Sequence, residues 1–131
     1  MSAELAVRAA ILAAMAADAT LAGLVNQIAD GDPVKASPPW LLVGTANAVG
    51  WGARGVDGVT LRQGIELVLR GDQLSAVTTI LDRVDVLLRD MASDLGAWRI
   101  TALAFERSRI RRTEREWRAS VDYSIRLARL N

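Results

Sequence analysis

Apolar and polar residues alternate most cleanly near the end of the chain. From Trp117 to Leu127 every second residue is apolar: Trp117, Ala119, Val121, Tyr123, Ile125 and Leu127. Between them stand Arg118, Ser120, Asp122, Ser124 and Arg126. A period of two places these sets on opposite faces of a strand. Residues 59–70 alternate in the same way, with Val59, Leu61, Gln63, Ile65, Leu67 and Leu69 on one face and Arg62, Glu66 and Arg70 on the other. After Gly71-Asp72 the period changes. Leu74, Val77, Leu81, Val84, Leu88, Met91 and Leu95 recur at steps of three and four, widened by Ile80 and Leu87. This spacing predicts a long amphipathic helix that ends at Gly96.

The remaining segments carry weaker patterns. Ser2 is a candidate N-cap for an alanine-rich helix, with Glu4 in its first turn and Arg8 four residues on, placed to pair with Glu4. Leu5, Leu12 and Met15 mark one apolar side of it and Val7, Ile11 and Ala14 another, and sequence does not choose between them. Asp18 is placed to cap a second, short helix through Leu24. Residues 29–39, with Asp30-Gly31-Asp32-Pro33 and Ser37-Pro38-Pro39, predict a loop. Trp40 to Val43 predicts a short strand, and the five glycines of residues 44–58 a long flexible connection. Trp98 to Ile110 predicts a strand with mixed faces, central or bulged. Arg111 to Glu114 predicts the turn that follows. The expected fold is α+β: a mainly antiparallel four-stranded sheet, one long helix packed on one face, and an N-terminal helical arm. The 131 residues suit a single domain, 1–131.

Composition narrows the chemistry. Hydrophobic residues make up 51% and charged residues 24%, which places the chain among globular proteins. The apolar run Ala9 to Ala16 is too short to span a bilayer, and the segment before it lacks the positive charge of a secretory signal. There is no cysteine and no histidine. Thiolate nucleophiles, imidazole bases and cysteine zinc sites are therefore excluded. Gly50-Trp51-Gly52-Ala53-Arg54-Gly55 lacks the lysine and hydroxyl of a phosphate-binding loop. Asp30-Gly31-Asp32-Pro33 is too short for a calcium loop and is better explained as a turn. No catalytic, metal or cofactor residues are assigned.

Charge is unevenly spread. Residues 1–98 carry seven basic and eleven acidic side chains, whereas residues 99–131 carry nine arginines and four acids. Such asymmetry suits head-to-tail contact between copies. Nucleic acid is the rival partner, weakened by the acids Glu106, Glu114, Glu116 and Asp122 among the arginines. Trp51, in the glycine-rich segment with Arg54, is favoured over Trp40 as a contact to another chain, against a plain core role. The rows Arg62, Glu66, Arg70 and Arg118, Asp122, Arg126 are placed to pair across the sheet, either as a solvated face or as a partner surface.

The order and spacing of these features resemble a known family. Met1 to Leu12, Asp18, Leu21 to Val25, Ile28-Ala29-Asp30-Gly31 and Pro39-Trp40-Leu41-Leu42-Val43-Gly44 are similar to the N-terminal half of phage tail completion proteins, also called tail terminators. Gly50-Trp51 stands where the family usually has Asp-Trp, and Trp40 where it often has tyrosine. The helix from Gly71 and the pair from Leu103-Ala104-Phe105-Glu106 to Arg126 fit as well. The resemblance implies a structural virion protein and no enzyme. It implies a ring, typically hexameric, that terminates the tube of a long non-contractile tail and joins it to the head or neck. The implied partners are copies of the chain, the tail tube protein, a neck or head-completion protein, and DNA that passes through the lumen without sequence specificity. No membrane is involved. The implied location is the tail of a phage or gene transfer agent, assembled in the bacterial cytoplasm. Trp51, Arg54, Arg62, Glu66, Arg70, Arg111, Arg112, Arg118, Asp122 and Arg126 are the candidate interface or lumen residues. A neck connector, and a small ligand-binding α+β domain, remain as alternatives.

Overall fold

The computed structural model describes residues 2–31 and 35–129. The helices are α1 (Ala3–Ala16), α2 (Ala19–Ala22) and α3 (Val77–Arg89). The strands are β1 (Gln27–Asp30), β2 (Trp40–Ala53), β3 (Val56–Arg70), β4 (Trp98–Arg112) and β5 (Glu116–Arg129). The strands form one sheet in the order β1-β2-β3-β5-β4. The sheet therefore has five strands, where four were expected. The extra strand, β1, runs parallel to β2 at the edge, and all other pairs are antiparallel. Four residues, Gln-Ile-Ala-Asp, carry too little alternation to announce a strand. Their place comes from pairing with residues 40–43. Asp32 and Pro33 of the predicted turn lie outside the described residues.

The helices cover one face of the sheet, and the expected apolar sides meet there. From β5, Ala119, Val121, Tyr123, Ile125 and Leu127 are buried; from β3, Leu61, Ile65, Leu67 and Leu69. Ile80, Val84 and Leu88 of α3 close over them, with Leu81 and Leu87 partly buried beside the same core. In α1 the side carrying Ala3, Val7, Ile11 and Met15 faces the core, and Leu5 is left exposed. Ser2 caps α1, its Oγ accepting from the Leu5 amide at 3.4 Å.

Arg8 does not pair with Glu4. It donates to the carbonyls of Val43 (2.7 Å) and Gly44 (2.8 Å) and to the Asp30 carboxylate, tying α1 to the β1–β2 edge. Asp18 caps α2 by accepting from the Leu21 amide at 2.9 Å. It also receives two hydrogen bonds from Arg83 of α3, at 2.8 and 2.5 Å. That guanidinium, helped by the Leu21 amide and opposed by partial burial, lowers the Asp18 pKa from 3.8 to about 2.

Two expectations about regular structure are corrected. Residues 44–58 are no flexible connection. Residues 44–53 complete β2, Arg54-Gly55 make the turn with Gly55 at φ +80°, and β3 begins at Val56. Small residues give no alternation to read, yet the ladder with β3 satisfies their backbone groups. The register slips between Val43 and Ala46, which reverses the faces of β2 beyond that bulge. Gln63, fully buried, serves the bulge by donating to the carbonyls of Gly44 (3.2 Å) and Gly64 (2.8 Å).

The long helix is the second correction. Residues Gly71–Ala76 form a 3-10 helix and α3 stops at Arg89, short of Gly96. Past that end the chain turns locally. The Gly96 amide donates to Asp94 Oδ1 at 3.0 Å, Leu95 to the Trp98 carbonyl at 2.8 Å, and Ile100 to the Ser93 carbonyl at 2.8 Å. Met91 and Leu95 still reach the core from this irregular segment. The mixed faces of β4 arise from bulges between Ile100 and Ala102 and between Phe105 and Arg107. Arg111 and Arg112 end that strand and do not form the turn, which begins at Thr113.

Candidate interaction surface

The sheet face away from the helices is polar, and the register explains its composition. On β3, Arg62, Gly64, Glu66 and Val68 lie beside Ser124, Asp122, Ser120 and Arg118 of β5. On β4, Arg107, Arg109 and Arg111 lie beside Asp122, Ser120 and Arg118. The two rows predicted to share a face therefore do so. Their pairing differs in detail. Arg118 reaches Glu66 at 3.9 Å and Glu116 at 3.5 Å. Arg62 pairs with Glu106 at 2.7 Å, and Asp122 with Arg107 at 2.8 Å, so both residues take their partners from β4. The bulge at Glu106 brings that carboxylate across Ser124 to Arg62. Asp122 also raises the pKa of Arg107, chiefly through their hydrogen bond. Arg70 closes β3 and approaches Asp72 at 3.7 Å.

Arginine also covers tryptophan. Arg126 lies 4.1 Å from the ring centre of Trp51, and Arg118 lies 5.9 Å from that of Trp40, both on the polar face. The Trp51 indole crosses Gly58, where a methyl group would overlap the ring. Thus Trp51 is half-buried against its own sheet, held by Gly58 and Arg126. Arg112 is on the other face, stacked on Trp117 at 5.3 Å, while Arg111 is on the polar face beside Arg118. Arg54 sits at the turn between β2 and β3. Among the described residues neither Arg54 nor Arg111 has an ion-pair partner.

The face is concave where side chains are missing. Gly44 and Gly64 lie against each other across the β2–β3 pair, and a methyl at Gly64 would come within 3.3 Å of Asp122 Oδ1. A groove of about 1000 Å³ runs from Arg107 and Asp122 over Gly64 to Asn47 and the start of α1. Its charges are of both signs, with Arg62, Arg107 and Arg109 against Glu4, Glu66 and Asp122. Such an alternation fixes the orientation and register of a partner more than it adds affinity. Among the described residues no three or more acidic side chains converge as a cation site, and no helix is long and apolar enough to cross a membrane.

One feature escaped the sequence. The helix side of β4 is left uncovered by α3, so Phe105 and Ile110 are exposed at 49% and 46%. At the other margin of the sheet Val49 and Val56 are exposed at 69% and 38%. Only the mixed faces of β4 hinted at the first. The second required the bulge in β2.

Comparison with known proteins follows the fold. A family model described as "Tail completion protein gp17" matches residues 9–128. A solved chain in the virion of a native gene transfer agent particle superposes with a TM-score of 0.80 at 21% identity, covering 92% of this chain and 93% of that one. No curated protein matches at a significant level.

Proposed function

The chain belongs to the tail completion protein gp17 family, a family of structural phage-tail proteins, and on that premise we propose that it forms a ring that ends the tail tube and joins it to the head or neck. The match of the family model over residues 9–128 carries this reading. In it, residues 1–131 act as one tail-terminator-like domain with no catalytic role. Copies of the chain close into a hexamer. One ring face meets the tube protein and the other a neck or head-completion protein. Assembly takes place in the bacterial cytoplasm, and the finished protein resides in the tail of a phage or a gene transfer agent.

The geometry supports a ring in two ways. A ring needs unlike surfaces on the two sides of each subunit. The sheet offers them, since β1 and the free part of β2 form one margin and β4 the other. The polar face supplies mixed charge suited to the lumen or to a neighbouring subunit, through Arg62, Glu66, Arg70, Arg111, Arg118, Asp122 and Arg126. DNA passing there would meet phosphate-directed arginines without base readout. Trp51 belongs to the same polar face, Arg54 to the turn at its end, and Arg112, on the opposite face at the end of β4, is a further candidate contact.

The test is a tube-capping assay. Purified protein is added to polymerising tail tube subunits, and tube lengths are measured by electron microscopy. Short tubes bearing a terminal ring are expected. Tubes that grow to the same length with and without the protein would overturn the reading.

A further inference from the structure

The two exposed apolar patches sit on opposite faces and opposite margins of the sheet. Val49 and Val56 lie on the polar face of the β2–β3 hairpin, because the bulge after Val43 reverses the faces of β2. Phe105 and Ile110 lie on the helix side of β4, paired beside the buried Tyr123 and Ala119. Toward the start of β4, Ile100 and Leu103 join Leu88 and Met91 around a cavity of about 320 Å³. The result is a trough with β4 as its floor and α3 as its wall, apolar apart from Arg89, Ser93 and Thr101. Two unlike patches placed in this way cannot meet within one molecule. They can meet between molecules, the hairpin of one lying on β4 of the next like overlapping tiles.

Exposed charges of both signs lie outside these patches. Arg54 at the hairpin tip has no ion-pair partner among the described residues. Asp82 on the exposed side of α3 and Asp90 at its C-cap have none either among the described residues, whereas Asp85 is held by Arg89 at 2.7 Å and by the Tyr123 hydroxyl at 2.7 Å. We infer that the trough along β4 receives the β2–β3 hairpin of a second copy of this chain, with Val49 and Val56 against Phe105 and Ile110 and Arg54 directed to the acids of α3. This inference rests on the ring reading and names the contact that would build the ring. The contact is heterologous, so each copy offers one hairpin and one trough, and repetition closes or extends the assembly.

The experiment uses Val49→Asp and Phe105→Glu, both at exposed positions, with circular dichroism as the check on folding. Oligomeric mass is followed by light scattering. Wild type is expected to form rings. Each variant alone is expected to be monomeric, with association at each contact weakened by roughly 50-fold. An equimolar mixture of the two should give dimers and nothing larger. The intact hairpin of Phe105→Glu enters the intact trough of Val49→Asp, and a ruined patch remains at each end. Wild-type-sized rings from either folded variant, or a mixture that stays monomeric, would overturn the contact and leave the ring reading standing. A wild-type chain that stays monomeric at high concentration would also overturn the contact, and the tube-capping assay then decides separately whether the ring reading falls.

Discussion

Adding one methyl group at Gly58 tests how the hairpin is held. In the structure the Trp51 indole lies directly over Gly58 and beneath Arg126, 4.1 Å from ring centre to guanidinium carbon. In Gly58→Ala the ring must lift. Losing on the order of 100 Å² of apolar contact costs about 2.5 kcal/mol. Losing the arginine stack costs about 0.5–1 kcal/mol more. Alanine in place of glycine within a strand returns about 0.5–1 kcal/mol. A net loss of about 2–3 kcal/mol is expected from these terms.

The assay is urea unfolding followed by circular dichroism, in a Val49→Asp background so that association does not contribute. The same substitution is then made together with Trp51→Ala. Without the indole there is nothing to displace, and Gly58→Ala should become neutral or stabilising by about 0.5–1 kcal/mol. Equal effects of Gly58→Ala in the two backgrounds would mean that the indole is not what the methyl group displaces.

Two further substitutions probe the links between helices and sheet. Arg8→Ala removes two carbonyl contacts and an ion pair that hold α1 to the β1–β2 edge. It should cost about 2–3 kcal/mol in the same unfolding assay, and a loss below about 0.5 kcal/mol would contradict that role. Asp18→Asn weakens the link to Arg83, and its signature is acid dependence. The folded pKa is lowered from 3.8 to about 2, so the contribution is complete above the unfolded value and lost as pH falls toward about 2. The stability gap between wild type and Asp18→Asn should therefore narrow over that interval, and a gap that stays constant with pH would contradict the assignment.

Regular alternation made β3 and β5 legible, because each has one buried face and one wet face along its whole length. The core of α3 was legible for the same reason at helical period. What was missed depended on partners far along the chain. β1 and the distal part of β2 are built from small or mixed residues and are fixed by ladder bonds to neighbouring strands. The end of α3 was overestimated because Met91 and Leu95 continue the apolar spacing from an irregular segment, while Ser93 and Asp94 engage the backbone locally. On the polar face, the rows of Arg62 and Arg118 were readable from period alone. The partners that Arg62 and Asp122 take from β4, Glu106 and Arg107, depend on two bulges that no periodicity reports.

Whether this chain ends the tail tube and joins it to the head is decided by the length of tails made without it. Particles would be produced from a host in which the gene is deleted, and again with the gene restored, and imaged by electron microscopy. Tubes of excessive and variable length detached from heads are expected, returning to uniform attached tails on restoration. Uniform tails joined to heads in the absence of this chain would contradict that role.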